Sequence, residues 1–126
     1  MSNEVRDDLK YTESHEWIKL KESIARIGIT DHAQSELTDI VFAELPDVGK
    51  QVKKGDELCV VESVKSVSEI CAPVSGTVVK VNEKLEDAPE TINDSPYEDG
   101  WLVEIEIGNK DEIKTLINAS DYEKLI

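Results

Sequence analysis

Lys65 is the residue of this sequence whose type and position are best suited to chemistry. It stands alone between two apolar runs, 58–64 and 66–70, each with the length and composition of a β-strand. Two such runs separated by a short turn predict a β-hairpin, which places the lysine at its tip. A flexible amine on a rigid tip is what an attached swinging cofactor needs, although most lysines in such turns are simply solvated.

The other reactive side chains form no recognisable catalytic set. The sequence has two histidines, His15 and His32, and their spacing matches no metal-binding motif. No base lies near Cys59 or Cys71 in the sequence, so neither cysteine is expected to be a nucleophile. The pattern therefore indicates a protein that is not an enzyme and holds no metal. His15, beside Glu16, could line a ligand cleft or simply satisfy local hydrogen bonds.

The hairpin register predicts where the two cysteines lie. With a two-residue turn ending at Lys65, Cys59 is opposite Ile70 and Cys71 is opposite Leu58. Side chains alternate between the two faces of a sheet, so the cysteines should point to opposite faces. We therefore expect two free thiols and no disulfide, as is usual in a reducing compartment.

Short apolar runs separated by turn residues predict a mainly β fold, either a two-sheet sandwich or a flattened barrel. A short helix is predicted near 31–37, with Asp31 as its N-cap, and helical turns are predicted after Asp111. The segment 82–99 is expected to be a long loop, because two prolines interrupt it. The predicted strands are 17–20, 24–29, 40–45, 58–64, 66–70, 77–81 and 101–107.

The chain has 126 residues, with 14 lysines and arginines against 28 aspartates and glutamates, which gives a net charge of −14. We expect a single domain over residues 1–126, since the length is typical of one domain. The charge argues against binding to nucleic acid or to anionic membranes, and it favours both solubility and docking on basic protein surfaces. No apolar run is long enough to cross a bilayer, and the acidic N-terminus predicts neither a signal nor a transit peptide.

Several motifs within 11–101 occur in an order and spacing that are typical of one protein family. The segment Glu62-Ser63-Val64-Lys65-Ser66, followed by Ala72-Pro73-Val74-Ser75-Gly76, looks like the attachment region of lipoyl carrier proteins. The motifs that narrow the resemblance are Tyr11-Thr12, His15-Glu16-Trp17, 27–34, 39–42, Glu44-Leu45-Pro46, Pro89-Glu90, 93–97 and Gly100-Trp101-Leu102. Together they resemble the glycine cleavage system H protein family. Thr38 stands where a glycine is common in this family, and Ser66 where an alanine is common.

This resemblance implies a barrel-sandwich hybrid fold, in which a lipoyl-like hairpin core spans about residues 55–81. It also implies that the prosthetic group is lipoate, joined by an amide bond to a lysine side chain. The implied site residues are Lys65 as the attachment point, Glu62, Ser63, Val64 and Ser66 around it, and Glu16 and His32 as a shelter for the loaded arm.

The function that the resemblance implies is that of a shuttle between enzymes. In this family a pyridoxal-phosphate glycine decarboxylase loads an aminomethyl group onto the carrier. A tetrahydrofolate-dependent aminomethyltransferase then takes the group, and dihydrolipoamide dehydrogenase reoxidises the carrier. A lipoate ligase or lipoyltransferase would attach the cofactor. We expect a monomer located in the cytoplasm, or in the mitochondrial matrix if the chain is a processed eukaryotic form.

Three other interpretations are compatible with a hairpin lysine. A lipoyl domain of a 2-oxo acid dehydrogenase would end near Val81, whereas this chain continues into further predicted elements. A biotin carrier usually has methionine beside the lysine, where this chain has Val64 and Ser66. A noncatalytic acidic β-domain that only binds other proteins is the alternative from a different functional class.

Overall fold

The computed structural model describes residues 4–126, which form nine strands, four short α-helices and one 3-10 helix. The strands are β1 Lys10–Tyr11, β2 Glu16–Lys21, β3 Ile24–Ile29, β4 Ile40–Glu44, β5 Gln51–Val52, β6 Glu57–Ser63, β7 Val67–Cys71, β8 Gly76–Val81 and β9 Val103–Ile107. The helices are α1 Asp31–Leu37, α2 Lys84–Asp87, α3 Thr91–Asp94 and α4 Ala119–Glu123, with the 3-10 helix at Lys110–Thr115. None of the helices in this part is long and apolar enough to span a membrane. Residues 1–3 of the acidic N-terminus lie outside the described residues, and the single domain over 1–126 stays a prediction.

The strands form two antiparallel sheets that pack against each other. A six-stranded sheet has the order β1-β2-β3-β9-β8-β5, and a three-stranded sheet has the order β4-β6-β7. Both sheets contribute to one buried apolar cluster, in which Ile27, Val61 and Val78 are completely inaccessible. The sheets do not close into a barrel, so the mainly β, two-sheet prediction is confirmed in its sandwich form.

Helix α1 forms where the sequence predicts it, but its N-cap is Thr30 and not Asp31. The Thr30 hydroxyl accepts a hydrogen bond from the backbone N–H of Ala33 at 3.2 Å. Asp31 is the first helical residue, and its carboxylate accepts a hydrogen bond from the Gln34 side chain at 2.6 Å. The prediction for Asp31 is therefore wrong, because Thr30 is fully buried and is also fixed by a 2.7 Å hydrogen bond to Tyr122.

The prediction that 82–99 is a long loop is wrong in part, because this segment contains α2 and α3. Each of these helices is a single turn that places one apolar side chain in the core, Leu85 in α2 and Ile92 in α3. Both side chains are completely buried. One turn of helix is too short to show a 3.6-residue periodicity, so tertiary packing determines these two elements and the sequence pattern does not reveal them.

Replacing Thr38 with glycine should stabilise the protein. Thr38 follows α1 and has φ 64° and ψ −147°, a conformation that is strained for any residue except glycine. Its side chain is exposed, so little packing is lost. Relief of the strain, less the extra entropy of glycine in the unfolded chain, should raise the free energy of unfolding by about 1 kcal/mol. Urea denaturation measures this gain, and Thr38→Ala, which keeps the Cβ, should not show it.

The β6–β7 hairpin has one of the two predicted cysteine pairs. Cys59 lies opposite Ile70, as predicted, but a bulge between Glu57 and Cys59 places Cys71 opposite Glu57. The prediction that Cys71 faces Leu58 is wrong, because a bulge adds one residue to one strand and shifts every later pair. Both cysteines are unpaired, and Cys59 is buried whereas Cys71 is half-buried.

In the native protein, Cys71 should react with a thiol reagent long before Cys59. Burial raises the pKa of the Cys59 thiol to about 12, so almost no reactive thiolate is present at neutral pH. Burial also raises the pKa of Cys71, but this side chain is accessible to a reagent. Mass spectrometry after treatment with iodoacetamide should show one label on native protein and two on protein unfolded without reductant. Rapid labelling of both thiols in the native state, or of neither after unfolding, would contradict this arrangement.

Candidate functional site

A two-residue turn, Val64 and Lys65, closes the tip of the β6–β7 hairpin. The backbone N–H of Ser63 donates to the carbonyl of Ser66 at 2.8 Å. The Ser63 hydroxyl accepts hydrogen bonds from the backbone N–H groups of Lys65 and Ser66 at 3.1 and 3.0 Å. Neither turn residue has a positive φ, so a β-branched valine fits here without strain. The sequence-predicted turn is therefore present, with Ser63 holding it from within.

The hairpin tip rests on the turn between α1 and β4. The backbone N–H of Val64 donates to the carbonyl of Asp39 at 3.0 Å. The Lys65 ammonium donates to the carbonyl of Glu36 at 3.2 Å, and the lysine side chain is exposed. Glu36 lies in the last turn of α1, where carbonyls without a partner in the helix favour a cation. The amine is thus accessible to solvent and has a defined resting place.

Asn93 of α3 stabilises the turn between α1 and β4 through its side chain. Its side-chain oxygen accepts a hydrogen bond from the backbone N–H of Ile40 at 2.9 Å. Its side-chain nitrogen donates to the carbonyl of Thr38 at 2.8 Å and to the Gln34 side chain at 3.0 Å. No role for Asn93 is predicted from the sequence, and its position in the family-like motif 93–97 is the single signal that points to it.

A groove of about 280 Å³ opens beside the resting place of the lysine. It is bounded by α1 on one side and by β7 on the other. Glu36, which accepts the hydrogen bond from Lys65, is part of its lining. Polar and small lining residues are Ser14, His15, His32, Ala33 and Ser68, and apolar ones are Ile29, Leu37 and Ile70.

Two histidines face each other in this groove. The ring centroids of His15 and His32 are 4.8 Å apart. His15 Nδ1 is hydrogen-bonded to the Tyr122 hydroxyl at 2.8 Å, and His32 Nε2 lies 3.6 Å from a carboxylate oxygen of Glu36. Burial, and then the charge of His32, lower the pKa of His15, whereas Glu36 acts in the opposite direction. His15 therefore lines the groove and satisfies a local hydrogen bond as a mainly neutral side chain at pH 7.

Glu16 lies behind the groove, and it reaches the lining through Ser14. Its side chain is only 2% exposed, and one carboxylate oxygen accepts hydrogen bonds from Thr12 at 2.6 Å and Ser14 at 2.8 Å. Burial raises the pKa of Glu16 although both hydroxyls oppose this shift. The structure thus brings His32 to the groove and keeps Glu16 one hydrogen bond away from it.

The remaining sequence-predicted site residue, Glu62, lies on β6 next to the tip. It pairs with Phe42 on β4 and with Val67 on β7, and its side chain is half-exposed. Within residues 4–126, no three His, Cys, Asp or Glu side chains lie close enough to hold a metal ion. The chemistry that this arrangement offers is therefore that of one accessible amine beside a groove.

Comparison with known proteins gives a consistent result across nearly the whole chain. The family model of the glycine cleavage H-protein matches residues 9–126. The glycine cleavage system H protein of Saccharophagus degradans is 53% identical over 125 residues, which cover 98% of this chain and 96% of that protein. The H protein of Anaeromyxobacter sp. strain K is 50% identical over 123 residues, with the same coverage of 98% and 96%.

The fold agrees with these sequence matches. The crystal structure of a glycine cleavage system H protein from Mycobacterium marinum superposes with a TM-score of 0.85 at 38% identity. The match covers 95% of this chain and 97% of that chain. Sequence and structure therefore lead to the same assignment, and the chain belongs to the glycine cleavage H-protein family.

Proposed function

We propose that this protein is the lipoylated shuttle of a glycine cleavage system, a carrier and not an enzyme, with lipoate joined to Lys65. The observation that supports this proposal most strongly is the position of the amine. Lys65 is exposed at the tip of a turn, directly beside a groove. In this turn the Ser63 hydroxyl accepts a hydrogen bond from the backbone N–H of Lys65, and the backbone N–H of Val64 donates to Asp39. When bound, lipoate supplies a disulfide that accepts the aminomethyl carbon and two electrons, chemistry that no side chain of the groove provides.

The residues around Lys65 fit an attached acyl chain. The neighbouring Ser63 and Ser66 are small, so they leave space around the amine for a modifying enzyme. After acylation the lysine nitrogen keeps one hydrogen, with which it can still donate to the carbonyl of Glu36. The groove combines apolar side chains, suited to an aliphatic chain, with the acceptor oxygens of Ser14 and Glu36, suited to a cationic group.

The proposed partners are the enzymes that act on such an arm. These are a pyridoxal-phosphate glycine decarboxylase, a tetrahydrofolate-dependent aminomethyltransferase, dihydrolipoamide dehydrogenase, and a lipoate ligase or lipoyltransferase. Membership of the glycine cleavage H-protein family supports this set over that of a 2-oxo acid dehydrogenase. The net charge of −14 favours transient docking on basic surfaces, and the bacterial relatives support a location in the cytoplasm.

The proposal is tested by making the modification and then using it. Unmodified protein incubated with lipoate ligase, lipoate and ATP should gain the mass of one lipoyl group, on the peptide that contains Lys65. The modified protein should then support glycine-dependent release of carbon dioxide by glycine decarboxylase. An unchanged mass would favour the noncatalytic interaction domain. A modified protein that is inactive with glycine decarboxylase would favour a lipoyl carrier of another system.

We also propose that the groove shelters the loaded arm from water, with His32 in its lining and Glu16 behind it. Filling the groove by Ala33→Trp should leave lipoylation unchanged but increase uncoupled release of ammonia and formaldehyde from glycine when the aminomethyltransferase is absent. The matched control is Ser35→Trp, an exposed position on α1 that does not line the groove. Equal uncoupled release from both variants and the parent protein would show that the groove gives no protection.

A further inference from the structure

The outer face of the three-stranded sheet bears exposed apolar side chains beside Lys65. Phe42 on β4 and Val67 on β7 are 46% and 61% exposed, and Val64 at the hairpin tip is 69% exposed. Phe42 and Val67 both pair with Glu62 on the central strand, so the three residues form one row across the sheet. Paired residues on adjacent strands project from the same face, with Cβ atoms about 5 Å apart. We call Phe42, Val64 and Val67 the outer patch.

The outer patch lies among acidic side chains. Strands β4, β6 and β7 together hold four glutamates and no lysine or arginine. Two of these glutamates, Glu44 and Glu69, are exposed and form the next row of the same face with Val60 between them. The strands of the six-stranded sheet differ, because they hold five basic and three acidic residues. A protein that covers the outer patch must therefore offer an apolar contact framed by lysines or arginines.

The outer patch and the groove lie on opposite faces of the same hairpin. Ser68 and Ile70 line the groove, and they alternate along β7 with Val67 and Glu69, which belong to the outer face. A protein docked on the outer patch therefore leaves the groove uncovered. The two surfaces can serve different purposes, one for docking and one for the arm.

We propose that the outer patch is the docking surface for the enzyme that acylates Lys65, a lipoate ligase with a basic rim around an apolar contact. This inference rests on the proposed function. In the acylation, the deprotonated lysine nitrogen attacks the acyl carbon of the mixed anhydride between lipoate and adenylate. The amide C–N bond forms, the anhydride C–O bond breaks with adenylate as the leaving group, and the nitrogen releases its extra proton to solvent.

The position of the reacting atom favours this enzyme over the others. Its active site must close on the Lys65 nitrogen itself, so it has to cover the hairpin tip and the surface next to it. The enzymes of glycine cleavage instead act on the sulfur atoms at the far end of the attached chain. They therefore have no need to approach the outer patch so closely.

The experiment measures the steady-state kinetics of lipoylation for the double variant Phe42→Ser/Val67→Ser. The matched control is Val79→Ser/Leu125→Ser, which removes two exposed apolar side chains elsewhere. The outer-patch variant should raise the KM for the carrier at least tenfold with kcat almost unchanged, because docking contacts are equal in the ground and transition states. Calorimetry with unmodified carrier and ligase, without lipoate, should show that the Kd of the complex rises by the same factor.

A charge reversal tests the acidic frame separately. Glu69→Lys on the outer face should raise the KM of lipoylation and weaken its dependence on salt, since one attraction to the basic rim becomes a repulsion. Glu106→Lys, on the exposed side of β9, is the matched control and should leave the KM unchanged.

The possible outcomes separate this proposal from the function on which it rests. Parent protein that is not lipoylated at all would overturn both. Parent protein that is lipoylated, with folded outer-patch variants that keep its KM and Kd, would overturn the docking surface alone. Outer-patch variants with normal lipoylation but poor turnover by glycine decarboxylase would assign the patch to that enzyme and overturn the present proposal.

Discussion

Lys65→Arg should abolish lipoylation while leaving the fold intact. Arginine keeps the positive charge and can still donate to the carbonyl of Glu36, which Lys65 contacts at 3.2 Å. Its guanidinium remains protonated at any pH that the protein tolerates, so it has no free electron pair with which to attack an acyl carbon. Because the side chain is exposed, the free energy of unfolding should change by no more than about 0.5 kcal/mol.

Intact mass spectrometry after incubation with lipoate ligase, lipoate and ATP measures this effect. The parent protein should gain one lipoyl group, and the variant should gain none above background. Lys10→Arg, Lys80→Arg and Lys84→Arg are the controls, since each removes one lysine elsewhere and should leave the modification complete. A lipoyl group on the Lys65→Arg protein would show that another lysine is the attachment site and that the hairpin assignment is wrong.

The hairpin could be predicted from the sequence because the interactions that form it are local. The apolar runs on either side of Lys65, and the two-residue turn between them, involve neighbours along the chain. The bulge next to Cys59 could not be predicted in this way, since it changes the register without changing the apolar pattern. The position of the lysine in its turn could thus be predicted from the sequence, whereas the pairing of Cys71 with Glu57 could not.

The support beneath the tip depends on contacts between distant parts of the chain. Glu36 lies 29 positions from Lys65, and Asn93 lies 53 positions from Ile40, whose backbone it holds. Such pairs leave no periodicity in the sequence. The groove likewise joins Ser14, α1 and β7, which only the folded chain brings together. Family resemblance named His32 and Glu16, but the structure alone shows that one lines the groove and the other lies behind it.

Gly76→Ala should destabilise the protein by about 4 kcal/mol or more, a large part of the stability of an ordinary domain. Gly76 ends a family-like motif and precedes the predicted strand 77–81, yet in the structure it begins β8 and pairs with Ile107 on β9. A Cβ at this position would lie 2.7 Å from Ile105 Cγ2 and 2.9 Å from the carbonyl carbon of Glu106. Backbone within a sheet cannot yield to this overlap, so the β8–β9 pairing would have to open.

Alanine substitutions at two other glycines test whether the loss of stability at Gly76 comes from lack of space or from backbone conformation. Gly55 has φ +94° and open space around it, so Gly55→Ala should cost only the strain of a left-handed residue, about 1–2 kcal/mol. A Cβ at Gly108 would meet its nearest neighbours at 3.7 Å, an ordinary contact distance, so alanine should be tolerated there with little loss. Urea denaturation should therefore rank the losses as Gly76, then Gly55, then Gly108. Equal losses at Gly55 and Gly76 would mean that the β8–β9 pair can relax. The presence of glycine at position 76 would then be explained by the turn that precedes β8, and not by the close approach of β9.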